Sequence, residues 1–263
     1  LNAVHPFDAT VRANYAANPI PELPPDRFLP RGGLTFAGVG GQPRTLWERD
    51  VNNFMPRVAA AWQLGSKTVL RGGYGLFYGF LGTRRGDVIQ TGFSRSTELT
   101  PTMDGLVPYA TLSNPYPDGI LEPTGSSLGT MTNVGQSISF FNTRPQSPLM
   151  QRWQVGIQRE LPARAVLEIS YIGNRGSDIE TTRNLNALPN QYLSKSPVRD
   201  QETINYLAAN FPNPFYPLLP GTSRAGKLIT RATLLTRYPQ FTSVSTTTNE
   251  GKSWYDALQV RLE

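Results

Sequence analysis

MQRWQVGIQRE (150–160), LPAR (161–164) and AVLEISYIG (165–173) run on from one another and carry the pattern that decides the fold. In the first stretch Trp153, Val155 and Ile157 alternate with Arg152, Gln154 and Gln158. In the last, Leu167, Ile169 and Tyr171 alternate with Glu168 and Ser170. A period of two is the mark of a strand with one apolar and one polar face. The four residues between contain a proline, which cannot donate to a strand ladder, so they turn the chain. The whole predicts an antiparallel hairpin.

Working outward, the same period recurs wherever proline is absent. In 57–64 (RVAAAWQL), Val58, Ala60, Trp62 and Leu64 share a face, opposite Arg57, Ala59, Ala61 and Gln63. In 68–78 (TVLRGGYGLFY), Leu70, Tyr74, Leu76 and Tyr78 share a face, opposite Arg71. Gly65-Ser66-Lys67 is the short turn of a second hairpin. In 254–263 (WYDALQVRLE), Leu258, Val260 and Leu262 oppose Gln259, Arg261 and Glu263. About five strands are therefore expected, near 57–64, 68–78, 150–160, 165–173 and 254–263. Short turns alternate with the long links 79–149 and 174–253, and 1–56 reads as the tail of a further long link. An antiparallel meander puts all its short turns at one end and all its long links at the other. Long structureless loops are uncommon in compact domains, but outer-membrane barrels have short periplasmic turns and long outer loops. A soluble β-sandwich explains the alternation of side chains, but not that of the loops. Two short helices are expected within the links. One spans 8–17, with Asp8 as cap and Asn18-Pro19 as stop; the other follows Ser196-Pro197.

Composition agrees with a loop-rich β protein. The 263 residues include 24 glycines and 23 prolines, and 17% are charged. No cysteine is present, which excludes disulfides, thiolate metal sites and cysteine nucleophiles. The single histidine, His5, excludes any site needing two imidazoles and reads as a solvated loop residue. The net charge of +6 is scattered along the chain, so nucleic acid is not an expected partner. No apolar run is long enough for a transmembrane helix, and no signal peptide is visible. Because Glu263 falls inside an alternating pattern, the chain is read as a fragment of a longer protein. Of the charges within the strands, only Arg159 and Asp256 fall on the apolar face, both near expected strand ends, where a charge costs little in a membrane. The fold class expected is thus all-β: a partial antiparallel transmembrane barrel whose long extracellular loops carry one or two short helices. Arg57, Gln63, Arg71, Arg152, Gln154, Glu168 and Arg261 would face the lumen. Trp62, Leu70, Tyr74, Trp153, Val155, Ile157, Leu167, Ile169, Tyr171, Leu258 and Val260 would face lipid.

The stretches NNFMPRVAAAWQL (52–64), KTVLRGGYGLFYG (67–79), MQRWQVGIQRELP (150–162), AVLEISYIGNRG (165–176) and SWYDALQVRLE (253–263), with the loop motifs NPYPDGI (114–120) and RYPQF (237–241), resemble the barrel region of TonB-dependent outer-membrane receptors of the Oar-like group. The resemblance implies a cell-outer-membrane location, contact with outer-membrane lipid, and uptake of an unidentified ligand in the intact protein. It also implies coupling to the TonB system through parts of the receptor beyond this chain. It implies no cofactor and no catalytic residue. The alternative is a surface-exposed β-sheet module for binding or adhesion, without transport.

Other motifs carry less. Arg71-Gly72-Gly73-Tyr74-Gly75 has the letters of an RGG or phosphate-loop element, but it lies inside a strand rather than at a strand-to-helix junction; glycine relieving crowding in a barrel wall is the favoured reading. Gly173-Asn174-Arg175-Gly176-Ser177 reads as a turn leaving its strand rather than an anion cradle. Glu168 with Glu160 or Asp178 would suit a glycosidase only across a cleft, and no enzyme is expected. Asp87, Glu98, Asp104 and Asp118 are too dispersed for a calcium loop, so no metal is expected. Phe140-Phe141 and FPNPFYPLLP (211–220) read as loop packing, with ligand contact as the rarer alternative.

Overall fold

The computed structural model describes residues 4–45, 47–81, 90–97, 99, 101 and 106–263. Along the chain the elements are α1 (Asp8–Ala17), β1 (Arg57–Gly65), β2 (Thr68–Tyr78), β3 (Ser137–Phe140), β4 (Leu149–Glu160), β5 (Val166–Asn184), α2 (Gln201–Ala208), β6 (Asn210–Pro212), β7 (Leu228–Thr230), α3 (Arg231–Leu234) and β8 (Ser243–Leu262). They form two compact units. The sheet unit is Leu46–Val88, Phe141–Arg183 and Thr246–Glu263; the loop unit is Leu1–Thr45, Ile89–Phe140 and Asn184–Ser245.

The sheet unit is the antiparallel wall that the period-two stretches predict, with strands in the order β1-β2-β4-β5-β8; the short β3, in the loop unit, follows β8 in the order. The β1–β2 turn contains Gly65 at φ +149°, a conformation that glycine adopts without a Cβ penalty. In the 161–164 turn, Ala163 and Arg164 both have positive φ, 64° and 63°. The end of β8 is fixed by Val166 and Glu263, which exchange both backbone hydrogen bonds, at 2.8 and 3.0 Å.

Two strands run well past their expected ends. Residues 173–177 are not a turn: they lie within β5, which parts from β4 at the pair Leu149↔Ser177 and continues to Asn184. The turn-like letters have another cause. A Cβ built on Gly173 would fall inside the Trp153 ring from β4, and one on Gly176 would meet Ser253. Likewise β8 begins at Ser243 rather than 254. Its first half, SVSTTTNEGK, is polar on both faces and offers no alternation to read, although its threonines suit a strand. Asp256 is therefore in mid-strand and not near an end.

The long links are not structureless. The loop unit holds a hydrophobic core that includes Phe7, Val11, Tyr15, Phe28, Phe36, Phe215, Leu219, Tyr238 and Phe241. The RYPQF segment is clamped into it. Asn186 Nδ2 donates to the carbonyls of Tyr238 and Phe241, both at 3.0 Å, while its Oδ1 accepts from Tyr238 N at 2.8 Å. Arg224 donates to Pro239 O and Phe241 O, and Gln240 Nε2 to Arg31 O. From FPNPFYPLLP, Phe215 is wholly buried. His5 is no solvated residue: it is 2% exposed and stacks on Phe7 at 4.8 Å. Its Nε2–H donates to Gly32 O at 2.7 Å. Helix α1 lies where expected, but Phe7 is its N-cap and Asp8 makes no capping bond. Helix α2 starts after Asp200, not after Ser196-Pro197. The Asp200 carboxylate accepts from Thr203 N at 3.0 Å, so the stronger cap wins.

Candidate functional site

The register assigns every singled-out strand residue to a side. Opposed residues of an antiparallel pair project to the same face. Trp62 opposes Leu70, which opposes Ile157, which opposes Ile169. Tyr74 opposes Trp153, Val155 opposes Tyr171, and Arg159 opposes Leu167. Counting in residue by residue from the Val166–Glu263 pair brings Val260 level with Ile169 and Leu258 level with Tyr171. All eleven apolar candidates thus share one face, and that face is open: Trp62 is 67% and Leu258 70% exposed. On the other face Arg57 and Arg152 both oppose Gly75, Arg71 opposes Ala61 and Gly156, and Gln154 opposes Gly73. Gln63 opposes Val69, Glu168 opposes Gln158, and Glu168 is level with Arg261. The seven polar candidates share this side.

On the polar face the chain brings Arg57, Arg71, Arg152 and Gln154 to one groove of about 640 Å³. Arg57 stacks over the Phe77 ring, its guanidinium carbon 4.5 Å from the centroid. Phe77 is a participant that sequence reasoning passed over, although its position two residues after Gly75 puts it on that face.

The apolar face has a polar belt across it. Arg175 Nη2 donates to Asp256 Oδ2 at 2.9 Å, and Tyr171 Oη donates to Asp256 Oδ1 at 2.6 Å. The Arg175 guanidinium sits 5.3 Å over the Trp153 ring, and Tyr74 Oη donates to Gln151 at 3.1 Å. Asp256 is tolerated in mid-strand because it is neutralised and hydrogen-bonded there. Arg175 was hidden by the reading of 173–177 as a turn. Continuing the period Leu167, Ile169, Tyr171 through Gly173 would have found it.

Glu160 and Glu168 are diagonal neighbours across β4 and β5, and Glu160 pairs with Lys67 at 3.8 Å at the turn end of the sheet. Asp178 is ten residues along β5 from Glu168, about 33 Å of extended strand against the roughly 5–9.5 Å of a glycosidase pair. The Arg71–Gly75 stretch is strand throughout. Asp87, Glu98 and Asp104 lie outside the described residues, and Asp118 accepts from Tyr109 Oη at 2.5 Å. Among the described residues no three acidic, histidine or cysteine side chains group as metal ligands, and no helix is long and apolar enough to cross a membrane.

A sheet with one open apolar face bearing aromatic and ion-paired residues, an opposite polar face, tight turns and long links is a segment of outer-membrane barrel wall. Residues 3–263 match the family described as the outer membrane beta barrel domain, and the chain belongs to that family. It is a protein of the cell outer membrane. No curated protein and no solved structure matches it.

Proposed function

We propose that the chain is part of a TonB-dependent transporter of the Oar-like kind, which takes up a ligand across the outer membrane. On this reading the eleven apolar side chains contact outer-membrane lipid. Arg57, Gln63, Arg71, Arg152, Gln154, Glu168 and Arg261 line the lumen, and TonB engages parts of the intact receptor beyond this chain. The chain performs no catalysis, needs no cofactor and does not bind nucleic acid. The observation that carries the reading is the two-sidedness of the sheet: an apolar face for lipid and, behind it, a groove lined with donors for a passing solute.

The test compares spent medium from the parent strain, a strain lacking the intact receptor and a strain lacking TonB. A solute that the parent depletes and both mutants leave behind is the expected result. Unchanged depletion in the receptor mutant, together with loss of surface attachment, would replace transport by adhesion.

A further inference from the structure

We infer that the polar face of the sheet holds an oxyanion-binding site formed by Arg57, Arg71 and Arg152, for a ligand carrying at least two carboxylate or phosphate groups. The inference rests on reading that face as the lumen wall, and gives the passing solute a charge class.

Three observations carry it. The first is placement. Arg57 and Arg152 flank Gly75 in one row across β1, β2 and β4, which sets their Cα atoms roughly 10 Å apart, two strand spacings. Arg71 lies four residues along β2 from that row, roughly 13 Å away. The second is the floor. Between the arginines the face carries Ala59, Ala61, Gly73, Gly75 and Gly156. The Phe77 ring lies over Gly75 within this floor, and the guanidinium groups and Gln154 are the polar donors of the groove. The third is the lack of counter-charge. Among the described residues none of the three arginines has an ion-pair partner; of the carboxylates on the same face, Glu160 is occupied by Lys67 and Glu168 lies on β5, level with Arg261 and two strands from Arg71.

Like charges in neighbouring positions of a sheet repel. An anion between Arg57 and Arg152 converts that repulsion into attraction. Arginine suits the task, because its planar fork donates two parallel hydrogen bonds to a carboxylate or phosphate. The Phe77 ring, 4.5 Å from the Arg57 guanidinium carbon, gives that cation a fixed apolar support beside the groove. Arg71, further along β2, meets the second acidic group of an extended ligand.

The intact receptor, purified in non-ionic detergent, is titrated calorimetrically at low salt with tripolyphosphate and with tricarballylate; whichever binds more tightly distinguishes phosphate from carboxylate. Arg57→Gln and Arg152→Gln should each weaken binding at least tenfold. Arg71→Gln should weaken tripolyphosphate more than inorganic phosphate. Arg57→Lys, which keeps the charge but not the fork, should fall between wild type and Arg57→Gln, which guards against a mere folding defect. Arg159→Gln, on the opposite face, should leave binding unchanged. Equal affinity in wild type and in a folded triple glutamine variant overturns the site, and leaves transport standing if the medium comparison still shows TonB-dependent depletion. Arginine-dependent binding without such depletion keeps the site and removes the transport reading.

Discussion

The two units bury opposite things. In the loop unit Phe215, Tyr15 and Phe241 are withdrawn from solvent, and the Asn186 amide clamps Tyr238 and Phe241 through their backbone. In the sheet unit Trp62, Val155, Leu258 and Val260 stand open, while the buried positions include Gly75, Ser170, Gly173 and Gly176. One unit hides its hydrocarbon because its surroundings are water. The other displays it, as the proposed contact with lipid requires, since an apolar surface there needs no cover. An exposed apolar face of this extent on a water-bathed protein would mark an unmet interface.

The sharpest way to break the comparison is to empty the loop core. Phe215→Ala should destabilise the loop unit by about 3–5 kcal/mol. Limited proteolysis across a urea series should show 184–245 opening early while the sheet amides keep their exchange protection; simultaneous loss in both units would show that they share one stability. Next comes a charge placed on each side of one strand. Val155→Arg, on the apolar face, should cost about 2–4 kcal/mol in vesicles, against about zero for Gln154→Arg. Equal costs from refolding titrations would mean that the apolar face does not meet lipid. Asn186→Ala removes a clamp with three hydrogen bonds and should cost about 1–3 kcal/mol, read from the loop unit's unfolding midpoint.

A pH dependence sharpens the contrast further. Burial pushes the His5 imidazole below its ordinary 6.5. The unfolded chain then takes up a proton that the folded one refuses. Loop-unit stability should be full above pH 6.5, decline as the pH falls below it, and level off beneath the folded value. His5→Gln, whose amide can still donate to Gly32 O, should flatten that decline when unfolding is followed at pH 7.5 and pH 5. The smallest effect concerns the 161–164 turn. Replacing Ala163 and Arg164 by Asn-Gly, the pair suited to two successive positive φ values, should stabilise the hairpin by about 1 kcal/mol in the same vesicle titration.

The strands were legible in sequence where apolar and polar residues alternate. Trp153-Gln154-Val155 and Leu167-Glu168-Ile169 each give away a face, and the hairpins follow. Legibility ended where alternation ended. SVSTTTNEGK pairs through its backbone and carries no face to read, and Gly173 looked like a turn because its role, making room for a tryptophan on the next strand, depends on the register. The arginine groove was visible only as separate polar positions, because the row Arg57–Gly75–Arg152 exists only once β1, β2 and β4 are aligned. The loop core was the least legible. Its contacts join residues far apart in the chain, and no local period announces that Phe7 will meet Phe215 or that His5 will be buried against Phe7 and Phe241.

That last feature has a kinetic side. Asn14 donates to Pro214 O across 200 residues and Gln240 to Arg31 O across 209, and the stretches between include the strands of the sheet. Contacts of such separation carry a large loop-closure cost and form slowly. Once the hairpins pair, the intervening chain is drawn in and that search shortens. The expected order of assembly is therefore the sheet first, from its own tight turns, and the loop core last; pulse-labelled hydrogen exchange should show protection in β4 and β5 before α1.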